Sequence, residues 1–170
     1  SVGDSRLGCC FIPAPSLAGE FVTGGISAEL IVPSGIPIRP EFYTRAPKAE
    51  AKRSFGIEPE HQHLVAMTGS IGCGPLRELT ETLAETMTDE QELTVVCGAN
   101  EKLHRHLASR YAGQANIHIL GFEKNVSLLL DSADLYLTKP GGISVTEAAA
   151  KALPMVLIDA IAAVEEYNLD

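Results

Sequence analysis

No run of lysine and arginine occurs in these 170 residues; thirteen basic side chains face twenty-two acidic ones, for a formal net charge of −9. Nucleic acids and anionic membrane surfaces recruit proteins through such basic clusters, so neither is an expected partner of this part of the chain. The acidity serves solubility. A site for a small anionic ligand stays open, because free backbone N–H groups at a helix start can supply the positive end.

Cysteine is scarce and badly spaced for chemistry. Cys9, Cys10, Cys73 and Cys97 form no C-x-x-C pair, which excludes the usual zinc and dithiol motifs. Cysteines flanked by apolar residues are expected to be buried thiols of a reducing compartment, and the chain reads as cytoplasmic. No apolar run approaches the roughly 20 residues that span a bilayer, and residues 1–8 lack the pattern of a signal peptide. The first residue is not Met, and Tyr167-Asn168-Leu169-Asp170 reads as the middle of a helix. The expectation is therefore a piece of a larger protein.

What is present is ordinary globular material, 45% hydrophobic and 21% charged. From His63 onward, short apolar runs alternate with helical patterns. The runs at 63–68, 93–97, 116–120, 135–138 and 155–158 are nearly continuous in apolar residues, as in strands buried on both faces of a parallel sheet. Between them, 76–87, 101–111, 123–132 and 144–152 read as helices; Leu76, Leu79, Thr80 and Leu83 share one face. The βαβαβαβαβ alternation predicts a Rossmann-like, doubly wound α/β sheet. Leu128-Leu129-Leu130 is read as core, and Ala148-Ala149-Ala150 as a close helix–sheet contact.

The first part is different. Cys10-Phe11-Ile12 and Leu30-Ile31-Val32-Pro33 read as short strands around a short helix near 16–21. The turn-formers of Ser34-Gly35-Ile36-Pro37-Ile38-Arg39-Pro40 then mark a linker. We set a boundary at Ser34: 1–33 is the tail of a preceding domain, and 34–170 is a nucleotide-binding domain incomplete at its C-terminus.

In open α/β sheets ligands bind beyond the carboxyl ends of the strands, and two glycine-rich loops stand there. Thr68-Gly69-Ser70-Ile71-Gly72-Cys73-Gly74 permits positive φ and close backbone approach to a phosphate. It is not a G-x-G-x-x-G fingerprint, and Cys97-Gly98-Ala99-Asn100 offers no acidic residue for an NAD ribose; a P-loop is excluded by the absence of Gly-Lys-Ser/Thr. The second loop is Lys139-Pro140-Gly141-Gly142. Spacing admits two readings of the helix start beyond it. Ser144 and Glu147 could form a capping box. Alternatively, a diphosphate could lie on the Gly141 and Gly142 amides while Glu147 accepts two hydrogen bonds from a ribose diol.

Four segments together resemble a known family: Ser34 to Phe42, the 68–72 loop, Leu120-Gly121-Phe122, and LTKPGGISVTEAAAKALPMVLIDAIAAVEEYNLD at 137–170. They are similar to the C-terminal half of monogalactosyldiacylglycerol synthases and processive diacylglycerol glucosyltransferases. More distantly they resemble the UDP-GlcNAc transferase of peptidoglycan-precursor synthesis. The resemblance implies the C-terminal half of a GT-B fold, with the donor bound here and the acceptor mostly in a preceding domain.

It implies inverting transfer of a hexose from UDP-glucose or UDP-galactose to a diacylglycerol-type lipid. Arg39, Gly69, Ser70, Gly141 and Gly142 would meet the diphosphate, and the backbone around Phe122 the uracil. Glu147 would hold the ribose, and Glu165, Glu166 and Asn168 the sugar. No catalytic residue is expected in this chain, since the base would belong to the preceding domain; no metal or other cofactor is expected. The full-length protein would be cytoplasmic, peripheral at the inner face of the membrane. Alternatives on the same fold are a UDP-GlcNAc-using transferase, an epimerase drawing its acid and base from Glu165 or Glu166, or a non-catalytic nucleotide-binding or interaction module.

Two other constellations are set aside. Adjacent Glu165 and Glu166 point about 100° apart on a helix and cannot flank a glycosidic bond as a hydrolase pair. His104 and His106, two apart, fall on different helix faces, and the histidines as a group are expected at the surface or in loops.

Overall fold

The computed structural model describes residues 8–69 and 75–158. The chain divides into two compact units, 1–38 and 39–170, parting inside the Ser34 to Pro40 linker composition. In the first, β1 (Cys10–Ile12) pairs in parallel with β2 (Ile31–Pro33), with α1 (Ala18–Thr23) between them in sequence. Ile12 and Ile26 are its buried apolar side chains among the described residues.

The second unit opens with a 3-10 turn, Pro40–Tyr43, and α2 (Lys48–Ser54). Five parallel strands follow: β3 (Gln62–Met67), β4 (Gln91–Val96), β5 (Ile117–Leu120), β6 (Leu135–Thr138) and β7 (Met155–Leu157). Their order is β5-β4-β3-β6-β7. The helices between them are α3 (Leu76–Thr86), α4 (Glu101–Arg110), α5 (Val126–Ser132) and α6 (Gly142–Ala150). This is the doubly wound sheet that the alternation predicts, with the order reversing between β3 and β6. In such sheets the reversal opens a crevice at the carboxyl ends of those two strands.

Strand period two sorts the side chains onto two unlike faces. Leu64, Ala66, Leu93, Val95 and Leu137 join Leu76 of α3 and Leu107 of α4 in one apolar core. Leu79 and Leu83 pack against its edge, as their helical spacing requires. The other face carries His63, Thr94, Tyr136 and Thr138, all buried, beneath α5 and α6. Leu129, Leu130 and Ala148 are buried there; Leu128 is only half-buried.

Several local expectations are corrected. His63 is not a surface histidine: it is fully buried, with Nε2 2.8 Å from the Thr94 hydroxyl and Nδ1 against the Ser132 carbonyl and hydroxyl. Three polar partners compensate the ring, and burial pulls its pKa down to about 4. Cys97 is buried as expected but Cys9 is exposed, while Cys73 lies outside the described residues. Helix α5 begins at Val126, three residues later than its apolar pattern indicates, and α2 has no counterpart in the sequence pattern. Its lysine-rich sequence hides the stripe, because the buried Lys52 reaches Asp134 at 2.8 Å and the carbonyls of Pro59 and His61.

Candidate functional site

A cavity of about 430 Å³ lies at the carboxyl ends of the strands, within the size range of small-molecule sites. Met67 and Val96, the last residues of β3 and β4, form part of its floor, and Phe122 follows β5. Ile143, Ser144 and Glu147 reach it from α6, and Arg39 from the start of the 3-10 turn. Of the residues anticipated from sequence, Arg39, Gly69, Phe122 and Glu147 therefore line one cavity. Gly141 and Gly142 are the N-cap and first residue of the helix that forms its wall. Ser70, Glu165, Glu166 and Asn168 lie outside the described residues.

The chain turns into the cavity at positions that demand glycine. Gly69 has φ +86° and Gly98 φ +58°, the left-handed region that a Cβ disfavours. Asn100 then caps α4, its side chain accepting from the Leu103 amide at 3.0 Å. At α6 the capping-box reading fails. The helix starts at Gly142, so Ser144 sits in the third helical position and no side chain caps the N-terminus. Thr146 turns its hydroxyl back on the Gly142 carbonyl. The amides of the first turn, lacking intrahelical acceptors, present the positive end of the helix dipole.

Glu147 is the buried charge of the site, its side chain 7% exposed. Its Oε1 accepts from Arg39 Nε at 3.3 Å. Burial pushes its carboxyl above the ordinary value; the Arg39 guanidinium opposes that, and Glu41 adds to it. Arg39 is held from three sides, by Glu147, by Glu41 Oε1 at 3.3 Å from Nη1, and by the Phe42 ring, 4.8 Å from the guanidinium carbon. Phe42 is itself fully buried, and the Lys151 ammonium lies 5.8 Å from its centroid. Beneath α6, the buried Tyr136 hydroxyl is pushed up to about 12, chiefly by desolvation. Thr138 and Ser144 approach it without completing a hydrogen bond.

Sequence reasoning misses Ser144, Ile143 and Glu123 as lining residues. Its spacing suggests Ser144 only as a cap, although that residue lies one helical turn before Glu147 and so shares its face. Phe42 and Lys151 fall within the segments that carry the resemblance but receive no role from it; Phe42 packs against Arg39, and Lys151 against Phe42.

A parallel sheet with its order reversed beside a glycine-rich helix start, with a buried carboxylate and an arginine at the carboxyl ends of its strands, defines a Rossmann-like α/β class of domain. Residues 63–166 match the glycosyltransferase family 28 C-terminal domain, and the chain belongs to that family. It is 28% identical over 149 residues to a processive diacylglycerol beta-glucosyltransferase of Staphylococcus carnosus, covering 88% of this chain and 38% of that protein. It is 28% identical over 167 residues to a probable chloroplastic monogalactosyldiacylglycerol synthase of Glycine max, covering 94% and 31% respectively. The chain thus spans roughly a third of the length of these curated relatives.

Among solved structures it resembles Anabaena Alr3699/HepE in complex with UDP and glucose, with TM-score 0.58 and 16% identity over 96% of this chain and 46% of that one. It also resembles WaaG, a glycosyltransferase of lipopolysaccharide biosynthesis, with TM-score 0.62 and 21% identity over 94% and 46%. The fold is that of one half of a GT-B glycosyltransferase.

Proposed function

We propose that this chain is the donor-binding half of an inverting glycosyltransferase that moves a hexose from UDP-glucose or UDP-galactose to a diacylglycerol-type lipid. The observation that carries the reading is the convergence of Arg39, Phe122, Glu147 and the uncapped start of α6 on one cavity. In this reading the Gly141 and Gly142 backbone and Arg39 take the diphosphate, together with Gly69 and Ser70. Glu147 takes the ribose hydroxyls, and uracil lies at the exposed Phe122. Glu165, Glu166 and Asn168 would read the sugar. The names of the two curated relatives support the lipid acceptor, and the bound UDP and glucose of HepE support the donor.

As the glycosidic bond breaks, negative charge collects on the departing diphosphate. Preplaced amides, the α6 dipole and Arg39 meet that charge without reorganising, and this set calls for no resident metal. The base that deprotonates the acceptor would come from a preceding domain, so the chain alone would bind donor and not transfer it. We place the full-length protein in the cytoplasm, at the membrane surface where the lipid lies. Among the described residues no helix is long and apolar enough to cross a membrane.

Calorimetric titration with UDP, UDP-glucose, UDP-galactose and UDP-GlcNAc tests the reading. UDP is expected to bind, EDTA to change nothing, and Glu147→Ala to weaken UDP by roughly 10- to 100-fold, the effect of losing hydrogen bonds to a charged group. A folded chain that binds none of the four would instead point to a non-catalytic interaction module.

A further inference from the structure

The ion pair between Arg39 and Glu147 sets two ligand-binding groups against each other. A carboxylate receives a ribose diol through both oxygens, side by side, yet Glu147 Oε1 already accepts from Arg39 Nε. Two ribose hydroxyls aimed at both oxygens would therefore share Oε1 with the guanidinium, at the expense of that 3.3 Å contact. The half-exposed guanidinium of Arg39, which also touches the Glu41 carboxylate and the face of Phe42, regains a full ionic partner only if another anion arrives, water compensating it in part otherwise. Those two contacts hold the side chain beside the site.

We propose that Arg39 is a selectivity residue: by holding Glu147 until a diphosphate arrives, it makes ribose recognition conditional on the diphosphate. The inference rests on the ribose and diphosphate roles proposed above. A nucleoside diphosphate exchanges one ion pair for another plus the ribose hydrogen bonds, Glu147 turning to the ribose and Arg39 to phosphate. A bare nucleoside weakens the pair and offers Arg39 no anion in return, leaving its half-exposed guanidinium to water. The site thereby disfavours nucleosides by a few-fold without any steric barrier. Burial of Glu147 sharpens the effect, because a carboxylate in that position interacts with its partner through little water.

The two ligands should therefore respond to loss of Arg39 in opposite directions. Uridine and UDP are titrated separately into the isotope-labelled 170-residue chain, followed by ¹H–¹⁵N shifts near neutral pH. In Arg39→Ala, uridine is expected to bind about two- to fivefold more tightly, the scale of a half-exposed ion pair removed. UDP is expected to bind at least about tenfold more weakly, since it loses a charge-assisted contact. Arg39→Gln, which keeps a stem against Phe42, repeats the test with less disturbance of packing. If uridine affinity is unchanged or lower in both variants while the parent chain binds UDP, the proposal is overturned and the donor-site reading stands. If the folded parent chain does not bind UDP, the donor-site reading itself fails and this proposal with it.

Discussion

His63 shows what a single residue contributes when its surroundings complete it. Its ring is sealed between β4 and α5, and charging it would place a cation in a site built for a neutral ring. The folded-state pKa is depressed from 6.5 to about 4, so between those values the unfolded chain binds a proton that the folded chain refuses. Stability from this residue is therefore intact above pH 6.5 and is lost as the pH falls toward 4, at about 1.4 kcal/mol per pH unit at most. Urea unfolding across that range should show a steeper loss for the parent chain than for His63→Asn, which cannot titrate. Parallel curves would refute the assignment. Asp134 works in the next window down. The His63 amide, Lys48 and Lys52 hold its carboxylate at about 2 against the cost of burial, so its contribution is full above about pH 4 and fades as the pH falls from there toward 2.

At the scale of elements, the site depends on how the segment after the linker is fastened to the helices behind it. Lys151, at the C-cap of α6, is buried with its ammonium 2.8 Å from Asp131 of α5, and it also donates to the Thr44 carbonyl. Asp131 in turn accepts from the Ala46 amide. One ion pair thus ties the strap carrying Arg39 to two helices. Breaking a buried pair strands a charge, so Lys151→Ala is expected to cost about 3–5 kcal/mol, read by chemical denaturation. Where it still folds, it should weaken UDP binding through Arg39. A loss below about 1 kcal/mol would mean the pair is incidental.

The β3 turn is a second fastening. Gly69→Ala leaves open space around the new methyl group but forces it into φ +86°, at an expected cost of about 1–2 kcal/mol of stability. That too is measurable by denaturation.

At the scale of the whole molecule, the family and the half-fold set the expectation for activity. The cavity is furnished by one Rossmann-like unit, while the curated relatives of this chain are roughly two to three times as long. Incubated with UDP-glucose or UDP-galactose and diacylglycerol vesicles, the chain alone should form no glycolipid. Product accumulating over a control lacking donor would show that the catalytic base lies within these residues.

The order of elements was legible because its signals are local. A continuous apolar run reports a strand buried on both faces, a period of 3.6 reports a helix, and glycines mark the turns between them. Those signals placed the two loops at the ligand-binding edge and left Glu147 with two readings, while Arg39 was singled out by the family resemblance alone. They could not say that these two side chains, 108 residues apart in sequence, would meet. Nor could they say that Ser144 would enter the helix rather than cap it, or that His63 would vanish into a polar layer under α5. Each of these depends on which element packs against which. Composition and periodicity determined the parallel sheet and its glycine-rich edge. Tertiary packing alone decided that the arginine and the carboxylate would occupy one another.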